Sequence, residues 1–162
     1  MKLMQKLRNA RKDKKGFTLT EMIVVLVIIV ILIALLVPTL VGYIDKAKEK
    51  SVMAEGKMVL TAAQTVVSEK YGESAILDGT GATATNPGTC TYTVAKADEN
   101  GTDNKGEIAK LAEMTKDGSA TINVVDYKVT KIEYTSGGKK AIYNAPGSLA
   151  TDSTDTEGWT VE

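Results

Sequence analysis

Residues 12–45 read KDKKGFTLTEMIVVLVIIVILIALLVPTLVGYID, and the reading of this stretch decides the fold. After Lys15 the only charge before Asp45 is Glu21. Met22 to Val37 is wholly apolar, and Leu40, Val41, Tyr43 and Ile44 carry the run past Pro38. At 1.5 Å per residue, about 20 such residues in a helix cross a ~30 Å hydrocarbon core. The many Val and Ile residues would permit a strand in water. In lipid every backbone amide has to be satisfied within the segment, which selects a helix. Before the run stand Lys2, Lys6, Arg8, Arg11, Lys12, Lys14 and Lys15 against a single acid, Asp13. A basic flank of this kind predicts an amino end in the cytoplasm and the remainder outside.

The same charge distribution limits the function classes. Twenty basic and twenty acidic residues balance over the 162-residue chain, but without residues 1–16 thirteen bases face nineteen acids. A terminal basic patch on an acidic body is not the footprint of a nucleic-acid binder. No histidine is present, which excludes imidazole acid–base catalysis and most zinc sites. Cys90 is alone, so no intrachain disulfide forms, and no histidine or CxxC partner is there to activate its thiol. There is no nucleophile–base arrangement and no phosphate-cradling glycine loop, so the chain reads as a non-enzyme without a cofactor.

Three readings compete for the apolar segment. A secretory signal peptide has a shorter apolar region and a small-residue cleavage site, whereas Pro38-Thr39-Leu40-Val41-Gly42-Tyr43 has no A-x-A-like end. An uncleaved signal anchor accounts for span and orientation but not for Glu21. A carboxylate one turn into a membrane helix costs several kcal/mol unless it is paired, neutralised or able to snorkel. Helix physics alone leaves open whether Glu21 has a partner or reaches the headgroups.

Lys14-Lys15-Gly16-Phe17-Thr18-Leu19-Thr20-Glu21, followed by the apolar run, resembles the type III signal of type IV prepilins and pseudopilins. The resemblance covers residues 12 to about 50. It implies cleavage between Gly16 and Phe17 by a prepilin peptidase and methyltransferase, with Phe17 becoming the N-methylated terminus. It also implies assembly through Glu21, whose carboxylate seeks the Phe17 amine of a neighbouring subunit. Pro38 and Tyr43 stand where many relatives have a proline and a tyrosine, and Pro38 is expected to bend the helix. Val30 stands where many relatives have a glycine. The implied partners are other pilin subunits in a homopolymer, the membrane before assembly and an assembly platform within it. The implied path runs from the cytoplasmic membrane to an extracellular pilus. The resemblance points to a type IV pilus subunit, preferably a major pilin. The alternatives are a pseudopilin of a secretion or DNA-uptake machine, or a signal-anchored surface protein that never polymerises. The filament's purpose, such as adhesion or motility, is not encoded in the motif.

The expected fold is α+β, a long helix packed by its second half on a small antiparallel sheet. Four segments follow: a basic leader (1–16), a transmembrane and assembly half-helix (17–43), an amphipathic half-helix (44–72) and a globular head (73–162). Ile44, Ala47, Ser51, Val52, Met58, Val59, Ala62, Ala63, Val66 and Val67 recur at helical steps and predict the packed face. Tyr71-Gly72 predicts the stop, with glycine as the left-handed cap. Residues 78–91 read as a connecting loop. Asn104-Lys105-Gly106-Glu107 resembles a capping box leading into a short helix through Ile108, Leu111, Ala112 and Met114 that ends near Gly118. Residues 122–125, 128–134 and 140–143 read as strands, with Ser136-Gly137-Gly138 as a hairpin turn. Residues 158–161 offer one more strand, with Trp159 packing on the helix, for three or four strands in all. Two acidic loops, Asp98/Glu99/Asp103 and Asp152/Asp155/Glu157, lack EF-hand spacing and read as solvated surface ahead of calcium sites. Asn100-Gly101-Thr102 fits a glycosylation sequon and is equally explained as a turn.

Overall fold

A computed structural model describes residues 16–115, 117–148 and 156–162 of the chain. Helix α1 spans Leu19–Gly72. It is followed by β1 (Cys90–Ala95), a short 3-10 helix (Lys96–Asn100), α2 (Asn104–Leu111), β2 (Ser119–Val125), β3 (Lys128–Ser136), β4 (Lys139–Asn144) and β5 (Gly158–Val161). The strands form one antiparallel sheet in chain order, β1-β2-β3-β4-β5. The chain divides into two compact units between Tyr43 and Ile44.

The first unit contains the run that is long and apolar enough to cross a membrane, and none of that window is buried. The second unit is the α+β head. Its core joins Val52, Val59, Ala63, Val66 and Val67 of α1 to Tyr92, Val94, Ile122, Val124, Ile132 and Tyr134 of the sheet, with Ile108 and Ala109 of α2. The buried face of α1 therefore begins at Val52. Ile44, Ala47, Ser51 and Met58, assigned to that face from periodicity, are exposed. Met58 lies about 100° around the helix from buried Val59, and a sheet of short strands does not reach round to it.

The sheet has five strands rather than three or four. The missed strand is β1, whose Cys90, Tyr92 and Val94 are buried in strict alternation. Cys90 and Thr91 thus belong to a strand, and the connecting loop stops short of them. The remaining strands fall where alternation placed them. Gly137 and Gly138, both at positive φ, turn β3 into β4. Asp126 and Tyr127 do the same between β2 and β3, also at positive φ, where side chains are unfavourable. Tyr127 is held there by its surroundings. Its ring packs edge-on to Tyr71 with centroids 5.3 Å apart, and its hydroxyl donates to the Ala75 carbonyl at 2.7 Å.

Helix α1 ends as expected in position but not in mechanism. Gly72 is still helical, and Ser74 takes the left-handed conformation with φ 53°. The Ala75 amide donates to Lys70 and the Ser74 amide to Tyr71, a Schellman pair that satisfies two terminal carbonyls. At α2 the cap is Asp103, one residue before the expected box, its carboxylate accepting from the Gly106 amide at 2.8 Å, and the helix stops at Leu111 rather than near Gly118, with Glu113 turned to positive φ.

Besides the Lys139–Glu49 pair at 3.3 Å, two contacts at neighbouring positions of α1 tie it to the sheet. Tyr134, fully buried, donates its hydroxyl to the Glu55 carboxylate at 2.6 Å, and Thr115 donates to the same oxygen at 3.1 Å. Trp159 of β5 lies on Gly56 of α1, as the sequence suggested: a methyl group at Gly56 would come within 2.7 Å of the indole ring. Glycine inside a helix costs about 1 kcal/mol relative to alanine, and here it admits the indole.

A truncated chain beginning at Tyr43 should be soluble, folded and monomeric, because its core lies wholly within the second unit. Circular dichroism and ultracentrifugation check this, and a disordered product or a tight micromolar oligomer would contradict it. In that truncated chain Gly56→Ala should lower stability by about 1–3 kcal/mol through overpacking against Trp159, despite alanine's better helix propensity. Denaturant melting measures it, and a gain in stability would show that the indole moves aside freely.

Candidate functional site

The charged features of the head are occupied by local structure. Asp98 accepts from the Ala95 amide at 2.7 Å and pairs with Lys105 at 3.0 Å, Glu99 pairs with Lys96, and Asp103 caps α2. Glu157 accepts from the Gly147 amide at 2.6 Å. Asp152 and Asp155, the other two calcium candidates, lie outside the described residues. Among the described residues no group of three His, Cys, Asp or Glu side chains is placed to hold a metal. Cys90 is 5 % exposed, and burial pushes its thiol up, away from the reactive thiolate. Burial and the Glu55 carboxylate likewise push the Tyr134 phenol up, which keeps it a hydrogen-bond donor. An open groove of about 390 Å³ runs between α1 and α2, lined by Lys57, Met58, Thr61, Ala62, Thr65 and Leu111.

The start of α1 is built differently. Gly16, Phe17 and Thr18 are non-helical and exposed, with Phe17 at 72 %. Thr18 is the N-cap. Its Oγ1 accepts from the Glu21 amide at 3.2 Å, and its carbonyl accepts from the Met22 amide at 3.2 Å. Glu21 thereby falls in the first helical turn, where the positive end of the helix dipole favours a carboxylate. Sequence reasoning missed Thr18, although Thr18-Leu19-Thr20-Glu21 has the T-x-x-E spacing of a capping box. Phe17 and Glu21, which the resemblance pairs, lie on either side of this cap.

Two glycines in this stretch have no explanation among the described residues. A methyl group at Gly16 or at Gly42 would meet nothing within 4 Å, and neither residue has a positive φ. Pro38 sits inside α1. It has no N–H to give the Ala34 carbonyl, while the neighbouring Thr39 hydroxyl donates to Leu36 at 2.7 Å.

Comparison with known proteins agrees with this reading of the N-terminal segment. No curated protein and no solved structure matches the chain significantly. Residues 11–37 match the prokaryotic N-terminal methylation motif. That motif implies processing by a prepilin peptidase and passage to an assembly machinery, and with the apolar helix it describes a membrane-anchored protein. Over that segment the chain is similar to type IV pilins and pseudopilins, and it carries the class III prepilin signal.

Proposed function

We propose that this protein is the subunit, preferably the major pilin, of a type IV pilus. The observation that carries this is the methylation motif at the mouth of an apolar helix whose side chains are exposed throughout. Residues 1–16 are the leader, 17–43 the membrane and assembly half of the helix, 44–72 its amphipathic half and 73–162 the head. Cleavage adds water across the Gly16–Phe17 peptide, leaving a carboxylate on Gly16 and an amine on Phe17, which is then N-methylated. The open surroundings of Gly16 support this division, because no neighbour among the described residues requires a glycine there. A peptidase subsite that admits only a small residue supplies the missing reason.

In the filament, apolar helices replace lipid around one another, and burial of Ile, Val and Leu surface supplies most of the association energy. Glu21 then meets the amine of Phe17 in a neighbouring subunit. A desolvated pair of this kind adds little net stability compared with apolar contacts, but it penalises every misregistered alternative. Pro38 is where we place the helix bend. Electron microscopy of sheared surface material tests the assignment as a whole. Abundant filaments whose subunit begins at N-methyl-Phe17 support it, and a processed subunit that never leaves the membrane favours a pseudopilin.

Gly16→Leu should leave an uncleaved precursor in the membrane. Mature-sized protein from this variant, seen on a gel, would count against the prepilin reading. Glu21→Val should be inserted and cleaved normally, since the span only becomes more apolar, yet it should assemble poorly. Leaving the neighbouring cation without its partner in a desolvated bundle costs on the order of 3–5 kcal/mol, a factor of roughly a hundred to a few thousand in an assembly equilibrium. Filament protein in the sheared fraction, measured beside mature subunit in the membrane, reports the outcome. Parental levels of filament would mean that Glu21 serves only as an interfacial side chain.

A further inference from the structure

We infer that Thr18 is a positioning residue for leader removal: its cap stops α1 at Leu19 and holds the Gly16–Phe17 peptide outside the helix. The inference rests on the processing proposed above. Two independent observations bear on it. The first is the pair of bonds from the Glu21 and Met22 amides to Thr18, both at 3.2 Å, which fix the helix boundary at this residue. The second is the state of the chain just before it, where Gly16 and Phe17 are non-helical and exposed, with open space around the Gly16 Cα.

A peptidase binds its substrate as an extended strand, pairing with backbone groups on both sides of the bond it opens. A helical substrate offers neither those groups nor that shape. An N-cap residue has extended φ/ψ, so it turns the preceding chain out of the helical path. Without a cap at residue 18, the nearest upstream residue with good capping character is Gly16 itself, since glycine caps nearly as well as threonine. A helix restarted there would carry Phe17 in its first turn and enclose the scissile peptide. Thr18 therefore separates a segment that must be helical, because it enters lipid, from a bond that must be extended, because it is cut.

The test is the cleavage rate of the full-length precursor in membranes with its peptidase, followed as precursor and mature bands. The parental cleavage point is first confirmed by terminal sequencing. Thr18→Ala removes the cap and favours helix, and should slow cleavage about fivefold, the factor expected for loss of one N-cap. Thr18→Val keeps the shape without the hydroxyl and should be slowed similarly. Thr18→Asn and Thr18→Ser, both capping residues, should be processed at close to the parental rate. Parental rates in Thr18→Ala and Thr18→Val overturn the inference. It is equally overturned if Thr18→Asn is as slow as Thr18→Val, since the peptidase would then be reading the threonine side chain itself. A parental terminus other than Phe17 would refute the processing assignment, which is a separate failure.

Discussion

The structure depends on one constraint: a single run of backbone, Leu19–Gly72, has to satisfy its amides in two different surroundings. In the apolar half there is no water to accept a stray hydrogen bond, so the helical ladder is obligatory. In the second half helix is optional, and packing decides it. There the repeat of Val52, Gly56, Val59, Ala63, Val66 and Val67 places small and β-branched side chains against the sheet. Small residues let the helix approach closely, and most of the head's fixed geometry follows from that approach.

The sheet is joined to the helix at neighbouring positions by two kinds of contact. Glu55 accepts from Tyr134 and Thr115, which fixes where β3 and the segment before β2 meet α1. Gly56, one residue on, takes the Trp159 ring, and Tyr143, the cross-strand partner of Trp159, packs against that indole with centroids 5.2 Å apart. The hydrogen bonds are directional and set the register, whereas the aromatic contact contributes buried area. A side chain missing from either contact would leave the other in place, but with one degree of freedom restored.

The features legible in the sequence were those carried by strong periodicity or by a motif. The apolar run, the end of α1 near Gly72, three of the strands and the Gly137-Gly138 turn all follow from local chemistry. The position of β5 and the docking of Trp159 were also legible, because an isolated tryptophan in a small head needs a large surface to cover it. The less legible features depended on contacts distant in sequence. Thr91-Tyr92-Thr93-Val94 alternates correctly, but the Gly- and Thr-rich residues before it hid the start of β1. The exposure of Met58 depends on the width of the sheet, and the left-handed Ser74 depends on what Ala75 meets beyond the helix. At the functional segment the motif gave Gly16, Phe17 and Glu21. Thr18 was passed over because a hydroxyl beside a carboxylate attracts no notice until the amide it caps is visible.

The pairing of β5 with β4 has a consequence for the order of folding. Trp159 follows in the chain every element that it helps to fasten, and its seat, Gly56, lies in the helix that precedes them all. Until β5 has been made and paired, β4 is an uncovered sheet edge and the Gly56 notch stands empty. The head therefore reaches its final packing only after residues 158–161 have joined the sheet. Until then its unpaired edge is the feature most prone to join with that of another incomplete subunit. Subunits tethered side by side in one membrane meet at high local concentration, so rapid closure of this last strand protects the pool of subunits as well as the individual fold.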